Sequence, residues 1–205
     1  MRKLTLAPWK SVPPAVLFAG GKIAELDITW PDFSEPGYQD HLTGLPNRRA
    51  FDEALQQAVE QADLQGAAFG LIILDLDHFK QINDTHGHQA GDAILQFFAT
   101  MMASATRDTD LAARYGGEEF VVLSPAYQEI FNIGERIRLA VSQAPFHLSP
   151  DIHVTATCSF GCAVYPQDAP DKDRLIKAAD KALYTAKEAG RNQGRRAGGE
   201  GGENS

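Results

Sequence analysis

The sequence has few cysteines, no long apolar run and fewer basic than acidic residues. Two cysteines, Cys158 and Cys162, are too few for a disulfide framework. No apolar stretch approaches the roughly 18–20 residues of a membrane span, and Lys10 and Pro13-Pro14 interrupt any signal-peptide core. The net charge of −8 disfavours nucleic-acid binding through the overall field. We therefore expect a cytoplasmic protein without a nucleic-acid or membrane partner.

The two ends of the chain differ from its middle. Residues 1–39 contain two apolar stretches around Gly20-Gly21, which predict an N-terminal extension with a β-hairpin whose role is open. Residues 190–205 hold six of the 18 glycines, and no side chain there is both apolar and larger than alanine. We expect a disordered glycine-rich tail over 193–205. Residues 40–192 are left as the folded domain.

Within this domain the apolar pattern changes repeatedly between helical and extended spacing. Helical spacing is found in four stretches, 46–62, 93–102, 130–140 and 175–186. Extended stretches are 67–74, which reads as a strand buried on both faces, 154–164, and the pair 111–115 and 119–123. That pair flanks Gly116-Gly117, which predicts a β-hairpin with a two-residue turn. The pattern indicates an α/β or α+β fold, with helices covering a mixed central sheet.

Four carboxylates stand where chemistry could occur. Asp75 and Asp77 directly follow the buried strand, and residues two apart on a strand share a face. Glu118 and Glu119 directly follow the paired glycines, whose backbone a phosphate can approach closely. Taken alone, either pair reads as a solvated strand end or hairpin tip. Taken together, Asp75, Glu118 and Glu119 give three carboxylates on adjacent strands, a set that favours metal-assisted phosphoryl or nucleotidyl transfer.

These residues belong to a set of motifs that resembles one family. Arg114-Tyr-Gly-Gly-Glu-Glu-Phe120 resembles the defining motif of GGDEF domains, the diguanylate cyclases, in its Gly-Gly-Glu-Glu-Phe form. Four further segments agree with the family in order and spacing: Asp40-His-Leu-Thr-Gly-Leu-Pro-Asn-Arg-Arg49, Asp75-Leu-Asp-His-Phe-Lys-Gln-Ile-Asn-Asp84, Gly87-His-Gln-Ala-Gly-Asp92 and Ala179-Asp-Lys-Ala-Leu-Tyr-Thr-Ala-Lys-Glu-Ala-Gly-Arg-Asn192. The resemblance covers residues 40–192.

The resemblance implies a reaction and an assembly. Two GTP would become cyclic di-GMP and two pyrophosphates, on a palm-like fold related to nucleotide cyclases. Because one domain carries one GTP and the product has two-fold symmetry, catalysis would require a homodimer. The metal ligands implied are Asp75, the backbone carbonyl of Leu76, Glu118 and Glu119, holding two Mg²⁺ per active site, with Mn²⁺ as an alternative. Glu118 is the favoured general base, and Glu119 and metal-bound water stay open.

The resemblance also assigns the GTP contacts. Asn83 and Asp92 would read the guanine edge, and Leu42 would line the base pocket. A carboxylate can accept from both N1–H and N2–H₂ of guanine, whereas adenine presents an acceptor at N1. The remaining residues would hold the phosphates: Phe79, Lys80, Gly116, Gly117, Lys187 and Arg191. Of these, Phe79 and Lys80 would belong to a turn, and Lys187 and Arg191 would bind the terminal phosphates.

A second site is implied by Arg107-Asp-Thr-Asp110. By itself this pattern indicates a surface ion pair, but five residues, Leu111 to Tyr115, separate Asp110 from Gly116, which is the spacing at which the family places an inhibitory product site. Arg107 and Asp110 would bind the guanine of cyclic di-GMP, and Arg136 matches the basic residue that a neighbouring domain contributes. Product bound between two domains would keep their GTP sites apart.

Two other functions stay open at this level. The domain could be an inactive relative that senses GTP or cyclic di-GMP, although such domains usually carry a damaged Gly-Gly-Glu-Glu-Phe segment. It could also be a one-substrate cyclase that makes cyclic GMP. The mass of the product would separate these alternatives, and the intact motif set favours the dinucleotide.

Overall fold

The computed structural model describes residues 23–149 and 152–198, which form five α-helices and eight β-strands. The helices are α1 (Arg48–Gln65), α2 (Phe79–His86), α3 (His88–Ala105), α4 (Ile130–Gln143) and α5 (Lys172–Glu188). The strands are β1 (Ala24–Glu25), β2 (Ala67–Leu76), β3 (Leu111–Gly116), β4 (Glu119–Ser124), β5 (Phe146–Ser149), β6 (Ile152–Val154), β7 (Cys158–Tyr165) and β8 (Gly194–Arg196). None of these helices is both long and apolar enough to cross a bilayer.

The central sheet is mixed, as the sequence predicts. Its strand order is β3-β4-β2-β7-β8, and β1 adds a short parallel pairing to the start of β2. β2 is antiparallel to both β4 and β7, whereas β8 runs parallel to β7. All ten residues of β2 are buried, so this strand forms the centre of the domain. A separate antiparallel hairpin joins β5 and β6.

Helices cover both faces of the sheet. Alternate residues of β2 point to opposite sides, and the even-numbered Ile72 and Leu74 pack in one core with α3 and α4. The odd-numbered Leu71 and Ile73 pack in a second core with α1 and α5. This alternation directs the next odd-numbered residue, Asp75, toward the side of α5.

Helix ends match local sequence signals. Asn47 caps α1 by accepting the backbone N–H of Ala50 at 3.1 Å, and Asp171 caps α5 by accepting that of Arg174 at 2.8 Å. Such caps satisfy backbone donors that the first turn leaves without partners. Gly66 ends α1 with φ of 62°, in the left-handed region that favours glycine.

Ordered structure continues beyond both ends of the predicted domain 40–192. The first strand of the predicted N-terminal hairpin lies outside the described residues, and the second is reduced to Ala24–Glu25. The chain around it packs on the domain: Leu26 and Phe33 are buried in the α1/α5 core, and the hydroxyl of Tyr127 donates to the Ile23 carbonyl at 2.7 Å. At the other end, the predicted disordered tail begins too early, because Gly194–Arg196 form β8 beside Phe160–Cys162.

Two strand predictions also need correction. The predicted strand 154–164 is divided: Val154 ends β6, and β7 begins at Cys158. In the predicted Gly116-Gly117 hairpin, Gly116 pairs with Glu119, so the turn residues are Gly117 and Glu118. A register shift between Arg114 and Gly116 causes this displacement, and it places Glu118 in the turn at the tip of the hairpin. Cys158 and Cys162 are free and buried on β7.

Gly161 permits the close approach of α5 to β7. A Cβ at this position would overlap the carbonyl oxygen of Ala179 and the backbone nitrogen of Leu183. Because backbone atoms of a helix cannot turn aside as a side chain can, any larger residue must displace α5.

We therefore expect Gly161→Ala to reduce the free energy of unfolding by about 1–3 kcal/mol, the usual cost of overpacking. Urea unfolding measures this change. Gly37→Ala is the matched control, because a Cβ there meets no atom within 4 Å, and it should stay within about 0.5 kcal/mol of the parent protein. Equal stability of the two variants would contradict the packing described for Gly161.

Candidate active site

An ion pair marks the end of the central strand. The Nζ of Lys187, in the last turn of α5, lies 2.9 Å from Oδ1 of Asp75. Asp75 is 6% exposed, and Lys187 is half-buried. A buried carboxylate is costly without a compensating positive charge, and α5 supplies that charge here.

The β3–β4 hairpin brings the glutamates to the same place. Glu119 lies directly opposite Asp75 in the β2–β4 register. The carbonyl of Glu118 accepts the backbone N–H of Leu76 at 3.3 Å, which joins the hairpin tip to the end of β2. Both glutamates are half-buried. The predicted metal ligands are thus neighbours: Asp75 and Leu76 end β2, Glu118 lies in the hairpin turn, and Glu119 begins β4.

The electrostatics of this cluster suit a hard cation. Burial, and in smaller part the charges of Glu118 and Glu119, raise the pKa of Asp75 to about 6, although Lys187 opposes the rise. Within 23–149 and 152–198, no three acidic, histidine or cysteine side chains converge closely enough to hold a metal ion by themselves. Asp75, Glu118 and Glu119 are oxygen donors on neighbouring elements, and a divalent ion bound there would have to complete its coordination with substrate phosphates and water.

Arg114 braces the hairpin tip, a role that the sequence analysis missed. Its Nε and Nη2 donate to the Gly117 carbonyl at 3.1 and 2.7 Å, and its Nη1 donates to the carboxylate of Asp40 at 2.9 and 3.1 Å. Burial of Asp40 is outweighed by hydrogen bonds from Thr43 and Arg114, so its pKa is lowered and it stays ionised. Two of the quoted motifs are thereby joined, although 74 residues separate them.

The predicted guanine-reading residues meet near the α2–α3 junction. Asn83 on α2 lies against Gly91 of α3, where a Cβ would overlap its Oδ1. That oxygen is buried and has no hydrogen-bond partner in the described chain. Asp92, next to Gly91, is exposed. Leu42 is half-buried, and its carbonyl accepts from Nε2 of Gln96 on α3 at 3.1 Å.

Phe79 and Lys80 are placed differently from the prediction. They do not form a turn but begin α2, which follows the left-handed residue His78 at φ of 58°. The sequence analysis missed this helix, which has only eight residues and buries none of them fully. The N–H groups in the first turn of a helix have no intrahelical partner, and they suit an anionic phosphate.

Arg191 lies in a tightly held loop after α5. Its backbone N–H donates to the carbonyl of Ala186 at 3.1 Å, and its side chain is exposed. The next residue, Asn192, donates its backbone N–H to Oδ2 of Asp77 at 2.9 Å. Asp77 therefore does not join Asp75 in one pair of carboxylates, as its spacing suggested, but binds a different segment of the chain.

The residues of the predicted product site also lie together. The backbone N–H of Arg107 donates to Oδ2 of Asp110 at 2.9 Å, and Oδ1 of Asp110 is buried with no partner in the described residues. The guanidinium of Arg107 pairs with Glu129 at 2.6 Å, not with Asp110. Arg136 of the same chain donates from Nε to the Ala105 carbonyl at 2.6 Å, so it lies beside this turn.

Comparison with known proteins identifies the same family that the sequence motifs resemble. The family model described as "Diguanylate cyclase, GGDEF domain" matches residues 37–193. The chain is 42% identical over 156 residues to the response regulator PleD of Caulobacter vibrioides, covering 75% of this chain and 34% of PleD. It is 41% identical over 164 residues to the diguanylate cyclase DgcP of Pseudomonas aeruginosa, covering 79% of this chain and 24% of DgcP.

A solved structure supports the same assignment. The GGDEF domain of DgcB from Caulobacter crescentus, crystallised in complex with c-di-GMP, superposes with a TM-score of 0.75 at 36% identity. The match covers 80% of this chain and 96% of that domain. The chain spans less than half the length of the curated relatives named above. Because the family model, the fold and the order of the five motifs agree, the chain belongs to the GGDEF domain family of diguanylate cyclases.

Proposed function

We propose that the protein condenses two GTP into cyclic di-GMP and two pyrophosphates at the interface of a two-fold dimer. The observation that carries this proposal is the grouping of Asp75, Glu118 and Glu119 at one strand end, with Lys187 beside them. The proposal is supported by the family match over residues 37–193 and by the similarity to DgcP, which is described as a diguanylate cyclase.

The carboxylates would hold divalent metal. Asp75, the Leu76 carbonyl, Glu118 and Glu119 are the ligands, and two Mg²⁺ suit them because hard cations prefer oxygen, with Mn²⁺ as the alternative. Bound metal would supply charge stabilisation for the α-phosphate and the leaving pyrophosphate. Ionisation of Asp75, which burial and neighbouring acids oppose, would become favourable beside such a cation.

The remaining residues would bind and orient GTP. Asp92 accepts the N1–H and N2–H₂ donors of guanine, and Asn83 and Leu42 border the same base pocket. The α2 N-terminus at Phe79 and Lys80 and the turn at Gly116-Gly117 meet the phosphates through backbone groups. Lys187 and Arg191 bind the terminal phosphates. In the two-fold dimer the 3′-hydroxyl of one GTP would attack the α-phosphate held by the other subunit, pyrophosphate would leave, and Glu118 would accept the proton of the hydroxyl.

The first test replaces the glutamates of the hairpin. Glu118→Gln and Glu119→Gln should each abolish cyclic di-GMP formation, because the amide removes negative charge from the metal site. Both side chains are half-buried at a hairpin end, so the fold should survive. Mass analysis of the product formed from GTP and Mg²⁺ measures activity, and a melting curve measures stability.

Glu60→Gln is the matched control for these variants. Glu60 is exposed on α1 and should tolerate the same chemical change with full turnover. Near-normal turnover in both hairpin variants would rule out the metal assignment. GTP binding by the parent protein without any product would indicate a nucleotide sensor, and cyclic GMP as product would indicate a one-substrate cyclase.

The second test concerns the dimer. Turnover per chain should rise with protein concentration at low concentration, because two chains must combine to bring two GTP together. Specific activity is measured over a dilution series from micromolar to nanomolar protein. The same series is run on a chain that begins at residue 23, since Ile23, Leu26 and Phe33 are buried in the domain and should be kept. Flat activity in both series would contradict a weakly associating dimer.

The third test concerns product inhibition at Arg107, Asp110 and Arg136. We expect Arg107→Ala to weaken cyclic di-GMP binding and relieve inhibition, with the initial rate near that of the parent protein. Charge-assisted contacts of this type contribute about 1.5–3 kcal/mol, so binding should weaken by at least about tenfold. Calorimetry with cyclic di-GMP and initial-rate inhibition curves measure the two effects.

Glu129→Gln provides the contrasting variant. It removes the negative charge opposite Arg107 in the ion pair at 2.6 Å and so weakens the competing contact, and product binding should be kept or strengthened. If Arg107→Ala leaves the inhibition curve unmoved, or the parent protein binds no cyclic di-GMP, the inhibitory site is elsewhere.

A further inference from the structure

Asp77 is a buried carboxylate that the proposed chemistry does not use. It is 4% exposed and accepts three hydrogen bonds from neutral donors. The hydroxyl of Ser159 donates to Oδ1 at 2.7 Å, and the hydroxyl of Thr157 donates to Oδ2 at 2.8 Å. The third donor is the backbone N–H of Asn192, 2.9 Å from Oδ2. These bonds join the end of β2 to the start of β7 and to the loop after α5.

The loop that Asp77 binds has an unfavourable backbone. Arg191 and Asn192 are consecutive non-glycine residues in the left-handed region, with φ of 64° and 44°. L-residues rarely adopt this conformation twice in succession, and asparagine tolerates it better than most. Such a backbone persists only where its surroundings determine it.

Contacts on both sides of Arg191 hold this conformation. The Arg191 N–H bonds to the end of α5 at Ala186, and the Asn192 N–H bonds to Asp77. In addition, Nη1 of Arg138 on α4 donates to Oδ1 of Asn192 at 2.9 Å. The backbone angles of Arg191 decide the direction in which its exposed side chain leaves the loop. The next residue, Asn192, makes the first contact that holds the chain after Arg191, through its N–H bond to Asp77.

We propose that Asp77 is a positioning residue that aims Arg191 at the terminal phosphate of GTP by fixing the left-handed backbone of residues 191–192. This inference rests on the proposed function, which places GTP at the end of β2. It assigns different tasks to the two aspartates of one motif: Asp75 faces the reacting phosphates, and Asp77 acts through the loop that carries Arg191. Selectivity for a triphosphate over a diphosphate would then depend on a residue that touches neither nucleotide.

The affinities of 3′-deoxy-GTP and 3′-deoxy-GDP test this proposal. Neither analogue has the hydroxyl needed for cyclisation, so calorimetry with Mg²⁺ measures binding alone. Arg191→Ala should lower the ratio of triphosphate to diphosphate affinity by about tenfold, which is the effect of losing about 1.4 kcal/mol of contact to one phosphate. Asp77→Ala should lower the ratio to a similar extent, with little change in affinity for the diphosphate. The double variant Asp77→Ala/Arg191→Ala should not lower the affinity ratio further than Arg191→Ala alone, because both substitutions act on one contact.

Asp77→Asn is the conservative variant. Its single amide oxygen can still accept from Asn192, and the hydroxyl of Ser159 can rotate to accept from the amide. The affinity ratio should therefore stay within about threefold of the parent value. Tyr165→Phe is the stability control, because it removes a partly buried hydrogen bond to Asp63 at the far end of β7. This variant should leave the affinity ratio unchanged.

A second pair of variants tests the backbone without touching the buried carboxylate. Asn192→Gly and Asn192→Ala both remove the side chain that binds Arg138, and residue 192 is exposed. Glycine adopts positive φ readily, whereas alanine does not. We expect the glycine variant to keep the affinity ratio and the alanine variant to lower it.

The outcomes separate this inference from the proposed function. If the parent protein does not prefer the triphosphate, or Arg191→Ala leaves the ratio unchanged, the GTP assignment itself is wrong. If Arg191→Ala lowers the ratio but Asp77→Ala, or Asn192→Ala in case Asp77→Ala does not fold, leaves it unchanged, only the positioning role of Asp77 is overturned. A ratio lowered equally in Asn192→Gly and Asn192→Ala would also overturn it.

Discussion

The ion pair of Lys187 with Asp75 is the interaction on which the candidate site depends. β2 is buried along its whole length, so a carboxylate at its end loses hydration and gains a raised pKa. Glu119 on the neighbouring strand adds like charge. Without a cation on α5, the buried Asp75 would lie beside the half-buried Glu118 and Glu119 with no compensating positive charge from the helix. Lys187 therefore stabilises the same crowding of oxygen donors that a divalent ion would use.

This dependence explains why α5 and the hairpin must both be held firmly. Gly161 allows the backbone of α5 to lie directly on β7. This contact determines the position of Lys187 relative to the end of β2. On the opposite side of β2, Arg114 holds the hairpin tip through the Gly117 carbonyl and ties it to Asp40. Small shifts in either element would change the distances among the charged groups, and electrostatic energies at low dielectric vary steeply with distance.

Sequence patterns predicted the parts of the fold that rest on apolar periodicity. The unbroken apolar run at 67–74 became β2, and the helical stripes became α1, α3, α4 and α5. Failures occurred where tertiary pairing decides the outcome. The strand β8 is Gly-Arg-Arg, which carries no apolar signal, and its Gly194 is required because the ring of Phe160 occupies the space of a Cβ. The bulge that moves Glu118 to the hairpin tip depends on the register of β3 against β4.

The sequence was still less informative about the residues that hold the site in place. Motif spacing named the groups that would face GTP, but it did not reveal which groups hold them, because those partners are remote in sequence. Arg114 and Asp40 are 74 residues apart, and Asp77 and Asn192 are 115 apart. Each of these four residues nevertheless lies inside a quoted motif, so the motifs record contacts as well as chemistry.

These contacts also explain why ordered structure continues past residue 192. A domain ended at residue 192 would keep every predicted GTP contact, yet it would lose the carbonyl of Gln193, which accepts the backbone N–H of Phe160 at 3.1 Å. It would also lose β8, which pairs with Phe160–Cys162 and covers the outer edge of β7. Asn192 is anchored by Asp77 and continues through Gln193 into β8, so residues 193–196 add a further attachment to the loop that bears Arg191. Strand pairing beyond the last motif thus continues the central sheet into the glycine-rich segment as far as Arg196.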